Sequence, residues 1–117
     1  WSLPRIVGLR RSLELALTNR ALSADEAVAE GIATRVVPDE DLTSEALELA
    51  RTLAAGPTGA FGAAKRLLRE SFGHDLEAQL ALETRSIATA SGTADGVEGV
   101  AAFLAKRPAV FTGEDRW

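Results

Sequence analysis

The sequence predicts an all-α chain of about six short helices, on three observations. Apolar residues recur three and four apart along most of its length, the spacing that lines one face of a helix. The strong breakers, Gly31, Pro38, Gly56-Pro57, Gly73 and Pro108, fall between the periodic runs rather than within them. A single stretch, residues 32–37, leans toward β structure, and one strand of that length has nothing to pair with.

Each element has a local reason. The first helix is expected over about Leu9 to Thr18, with Leu9, Leu13 and Leu17 on one face. Ser23-Ala24-Asp25-Glu26 has the capping-box pattern: the Ser23 hydroxyl accepts from the Glu26 N–H, and the Glu26 carboxylate reaches back to the Ser23 N–H. Gly31 is placed to close that short helix in the left-handed region. Residues 32–37 then read as an extended segment ended by Pro38. A helix beginning after Asp39 or Asp41 runs to Ala55 and carries Leu42, Ala46, Leu49 and Leu53 on one stripe. The next runs from Pro57 to about Phe72 and is expected to bury Phe61, Ala64, Leu67 or Leu68, and Phe72. Gly59 and Gly62 lower its helix propensity, which predicts close approach to a neighbouring backbone. Asp75 caps a helix through Leu76, Leu80 and Ile87, interrupted at Ser91-Gly92-Thr93. The last helix spans about Ala94 to Arg107, and Pro108 leaves residues 109–113 as an extended tail.

Composition excludes several functions. The 117 residues suffice for one core, and 46% apolar with 26% charged residues describes a globular chain. Thirteen Lys and Arg against seventeen Asp and Glu give a net charge of −4, which argues against nucleic-acid binding. With no cysteine there is no disulfide, thiolate metal site or thiol nucleophile, and one histidine cannot build a multi-histidine metal centre. No apolar run approaches the roughly 20 residues that span a bilayer, and no secretory leader is present, so the default location is cytoplasmic. The lack of any methionine predicts a piece of a longer protein. Helices so rich in Ala and Gly make a thin core, so stability is expected to need another domain or another copy.

The final helix carries the strongest local signal. Val97, Val100, Ala101 and Leu104 form an apolar stripe, the expected core face. Gly99, Phe103 and Lys106 form a second stripe pointing roughly the other way. That stripe reads either as an aromatic face for a planar ring with an ammonium for a phosphate, or as a second packing face with a solvated lysine. Other groups read as structural: Asp25 with Glu26 and Glu45 with Glu48 as solvated carboxylates, His74 as a turn residue, and Lys65, Arg66 and Arg69 as a basic face pairing with Glu70 or a neighbouring helix. Gly96-Val97-Glu98-Gly99 lies inside a helical period without a preceding strand, so it is no phosphate loop.

Three stretches resemble the C-terminal part of the crotonase, or enoyl-CoA hydratase/isomerase, superfamily. The first is Trp1-Ser2-Leu3-Pro4-Arg5-Ile6-Val7-Gly8 with residues 17–27 and Gly31 to Val37, similar to the family's LPRLVG, L-TG-x-x-x-SA-x-EA and GLV-x-x-VV runs. The second is Ala63-Ala64-Lys65-Arg66-Leu67-Leu68. The third is Asp95 through Gly113, similar to the ending D-x-x-EG-x-x-AF-x-x-KR-x-P-x-F-x-G. Asn19 stands where the family usually has Gly, and Ala105 where Glu is frequent.

The resemblance implies that residues 1–117 are the helical, trimer-building region of an enzyme whose β-β-α spiral lies upstream. It implies an acyl-CoA substrate, hydration of a 2-enoyl-CoA thioester, and coenzyme A as part of the substrate with no separate cofactor. The oxyanion hole and acid-base carboxylates of that chemistry would also lie upstream, so the chain is expected to hold no catalytic group and to be inactive alone. Phe103 and Lys106 match positions that contact the adenine and 3′-phosphate of coenzyme A in a neighbouring subunit, which favours the functional reading of their stripe. The expected assembly is a homo-oligomer, a trimer or dimer of trimers, without nucleic acid or membrane. The rival reading is a non-catalytic helical module that docks a partner protein.

Overall fold

A computed structural model describes residues 1–114, and the fold is all-helical. Six α-helices follow in order: α1 (Leu3–Thr18), α2 (Ala24–Ala29), α3 (Leu42–Ala54), α4 (Thr58–Glu70), α5 (Leu76–Ser91) and α6 (Ala94–Ala105). Short 3-10 turns at Asp39–Asp41 and Ser71–Gly73 precede α3 and follow α4. The chain divides into two compact units, Trp1–Glu45 and the residues from Ala46 onward.

In the first unit α1 starts earlier than its leucine periodicity indicates. Pro4 sits in the first turn, where a missing N–H costs nothing. Gly8 then leaves the helical region, at φ 79° and ψ 159°, and kinks the helix before the regular run resumes. The residues α1 buries are Ser12 and Leu15. Leu9, Leu13 and Leu17 are exposed instead, because nothing among the described residues covers their face.

The capping box of α2 forms as expected. The Ser23 N–H donates to Glu26 Oε2 at 2.8 Å, and the Glu26 N–H donates to Ser23 Oγ at 3.2 Å. That backbone N–H and the Arg20 guanidinium hold the Glu26 carboxyl below its usual range. Gly31, at φ 75°, ends the helix as a Schellman turn, with the Gly31 N–H on Val28 O and the Ile32 N–H on Ala27 O. Residues 32–37 form no strand. The Ala33 N–H also donates to Ala27 O, which bends residues 32–34, and residues 35–38 follow without regular structure. Two hydrogen bonds back to the helix outweigh a β propensity that has no strand to pair with.

In the second unit α4 packs on α5, and α5 on α6. Asp75 caps α5 by accepting from the Ala78 N–H at 2.8 Å, and Thr93 caps α6 by accepting from the Gly96 N–H at 3.0 Å. Ala63 is the residue α4 buries; Phe61, Ala64, Leu68 and the following Phe72 are exposed, and Leu67 is intermediate. Gly62 has open space where a side chain would begin, so the expected close approach is not made there. The stripe Leu42, Ala46, Leu49 and Leu53 on α3 is likewise exposed. Between α4 and α5 an open groove of about 400 Å³ is lined by Ala60, Ala63, Leu67, Ser86 and Ile87. Among the described residues the buried apolar ones are Leu15 in the first unit and Ala63 and Ala102 in the second.

Candidate functional site

The site lies at the C-terminal end of α6. The Lys106 N–H donates to Phe103 O at 3.2 Å, and the Arg107 N–H donates to Ala102 O at 3.1 Å. This is the same closure that ends α2, except that the left-handed position is Lys106, at φ 53°. The conformation costs an L-residue about 1 kcal/mol, which glycine does not incur. Lys106 Nζ lies 4.4 Å from the centroid of the Phe103 ring, and Phe103 is 70% exposed. An open aromatic face thus stands beside an ammonium, the pair of groups that suits a planar ring carrying an anion.

The rest of α6 departs from its periodicity. Val97, Val100, Ala101 and Leu104, the expected core stripe, are exposed, while Asp95 and Ala102 are buried. Ala102 is 2% exposed, and the valine and leucine face has no cover among the described residues. Gly99 faces Phe111 rather than Phe103: a side chain begun there would lie in ordinary contact with the Phe111 ring, at 3.6 Å.

Sequence reasoning missed the groups that hold the tail. Asp95 is 6% exposed and its Oδ1 accepts from the Thr112 N–H at 2.8 Å, while its Oδ2 accepts from the Gly113 N–H at 3.0 Å. Glu98 takes both arms of the Arg107 guanidinium at 2.6 and 2.8 Å, and its Oε1 also accepts from the Val110 N–H at 2.9 Å. The guanidinium, and then the Val110 N–H, pull the Glu98 carboxyl down to about 2. Residues 109–113 are therefore held back against α6. The available signal was the pair of acids three apart on α6, ahead of a proline and a Thr-Gly.

The remaining candidates have structural surroundings. Glu45 pairs with Arg35 at 3.1 Å, and His74 Nδ1 lies 3.3 Å from Gln79 Oε1 beside the cap of α5. Glu26 belongs to its capping box, and Arg11 pairs with Glu14 and with Glu30. Lys65, Arg66 and Arg69 make no ion pair among the described residues, so the expected pairing with Glu70 is absent. Among the described residues no cluster of His, Cys, Asp and Glu could hold a metal ion, and no helix is long and apolar enough to cross a membrane.

The fold and the sequence around this site place the chain among known proteins. The enoyl-CoA hydratase/isomerase family profile matches residues 1–114, and the chain belongs to that family, the crotonase superfamily. It is 43% identical over 114 residues to the 1,2-epoxyphenylacetyl-CoA isomerase of Escherichia coli, covering 97% of this chain and 44% of that protein. It is 40% identical over 104 residues to a 4-chlorobenzoyl coenzyme A dehalogenase of Arthrobacter, covering 89% and 38%. The crystal structure of an enoyl-CoA hydratase from Polaromonas superposes with a TM-score of 0.89 at 32% identity, over 96% of this chain and 44% of that one. The chain spans less than half the length of these relatives.

Proposed function

We propose that the chain, residues 1–117, is the C-terminal helical region of an enzyme of the enoyl-CoA hydratase/isomerase type, supplying subunit contacts and part of the coenzyme A rim. The observation that carries this reading is the exposed Phe103 ring with the Lys106 ammonium 4.4 Å from its centroid. Phe103 stacks on the adenine and Lys106 meets the 3′-phosphate of a coenzyme A held by a neighbouring subunit. The relatives' names support this division of labour. They cover an isomerase, a dehalogenase and a hydratase, three different reactions, and what the names share is coenzyme A. A segment common to all three fits the shared handle better than the differing chemistry.

The reaction is hydration of a 2-enoyl-CoA, with double-bond isomerisation as the second choice, in a cytoplasmic homo-oligomer, a trimer or dimer of trimers. Coenzyme A enters as part of the substrate, with no separate cofactor. The apolar faces of α1, α3 and α6 support subunit contacts, because large exposed side chains gain most from burial.

The test is Lys106→Ala in the full-length enzyme. It raises the KM for acyl-CoA about tenfold, equivalent to about 1.4 kcal/mol, and leaves that for the 3′-dephospho substrate unchanged. Equal losses on both substrates would remove the phosphate role. The 117-residue chain alone gives no hydration of crotonyl-CoA, and turnover above buffer would place the chemistry within it.

A further inference from the structure

Lys106 sits where its backbone is strained and its side chain is exposed, so something must keep that turn closed. At the end of α2 the same closure is made by Gly31, which holds φ 75° without cost. At Asn19, also left-handed at φ 51°, the residue is one whose short amide side chain tolerates the region. Lysine has neither advantage.

The neighbouring residues supply the restraint. Arg107 is the residue whose N–H closes the turn onto Ala102 O. Its guanidinium is gripped on two arms by Glu98, two helical turns back on α6. Glu98 also takes the Val110 N–H, so one carboxylate fixes the chain on both sides of Pro108. The three bonds run between 2.6 and 2.9 Å, and a bidentate carboxylate–guanidinium pair has little angular freedom. Arg107 Nη1 also donates to the neighbouring Pro108 O at 3.1 Å, a bond within the turn that gives no hold on α6.

We infer that Glu98 is a positioning residue for coenzyme A: through Arg107 and Val110 it locks the left-handed turn at Lys106 and so presents the ammonium beside the Phe103 face. The inference rests on the coenzyme A reading of Phe103 and Lys106 given above. Glu98 touches no part of the ligand. It acts by removing the alternative in which residue 106 relaxes out of the left-handed region, carrying the ammonium off the ring.

Binding of coenzyme A and of 3′-dephospho-coenzyme A to the full-length enzyme, measured by calorimetry, tests this. Glu98→Ala is expected to weaken coenzyme A about five- to tenfold and to leave the 3′-dephospho form within twofold. Arg107→Gln cuts the same clamp from the other side, on an exposed residue, and gives the same pattern if Glu98→Ala fails to fold. In a Lys106→Ala background either change adds nothing, because the group being positioned is gone. A purely structural role would weaken both ligands and would persist in that background; either result overturns the inference. So does wild-type affinity in both clamp variants while Lys106→Ala still discriminates the two ligands. If Lys106→Ala treats the ligands alike, the coenzyme A reading itself falls, and with it the inference.

Discussion

Lys106 and Gly31 occupy the same position in the same kind of helix end, and only one of them suits it. The contrast gives a prediction in two opposite directions. Lys106→Gly removes the strain of φ 53° and raises the stability of the full-length protein by up to about 1 kcal/mol, read as a higher Tm. The same change weakens coenzyme A about tenfold, the loss expected of Lys106→Ala. A variant less stable than the parent would mean that the lysine is held by contacts worth more than the strain. Asp95 is the other residue with a measurable role. It accepts from two backbone N–H groups of the tail while itself buried, so Asp95→Ala gives up charge-assisted bonds worth up to about 1.5–3 kcal/mol each. Because Thr112 and Gly113 are exposed, water recovers part of that, and a net loss of about 2 kcal/mol in chemical denaturation is expected.

At the scale of elements, α2 and the α6–tail unit depend on specific polar bonds. A helix of six residues is below the length that sustains itself, so α2 needs its box. Ser23→Ala costs about 1 kcal/mol and is expected to raise amide exchange across residues 24–29 before the rest of the chain. Tail docking depends on pH through Glu98. The carboxyl titrates near 4.5 when free and near 2 when docked, so docking is fully supported above about 4.5 and lost as the pH falls toward 2. The Val110 amide shift, followed through that range, reports the loss, and Glu98→Gln flattens it. The caps at Ser23 and Asp75 and the left-handed Gly31 were legible because each is a short-range bond between residues within a turn of one another. The bend at 32–34 was not, since it depends on which carbonyl at the end of α2 stays free. Nor was the clamp on Arg107, which joins residues nine apart across the end of a helix. Of the candidate site, periodicity separated Phe103 and Lys106 from the apolar stripe of α6, but the left-handed backbone beneath the lysine has no signature in a Lys-Arg-Pro run.

For the whole molecule, periodicity named the apolar faces but not what they bury. Leu9, Leu13, Leu17, Leu49, Leu53, Val97, Val100 and Leu104 lie on coherent stripes, and all are exposed. Periodicity carries no information on whether such a stripe is covered by its own chain; the abundance of Ala and Gly was the one sign of a thin core. The 117-residue chain in isolation is therefore expected to self-associate in sedimentation velocity and to bind an apolar dye, both decreasing when Leu49 and Leu53 are changed to Lys. A dye-silent monomer would show that these faces are stable in water. The small core has a thermal consequence as well. A self-contained domain of this length takes up about 1.5 kcal/mol/K of heat capacity on unfolding, most of it from apolar side chains newly wetted. Here Leu15, Ala63 and Ala102 are the apolar groups buried among the described residues. The isolated chain should melt broadly with a much smaller increment, and the full value should return only when its faces are covered by an assembly.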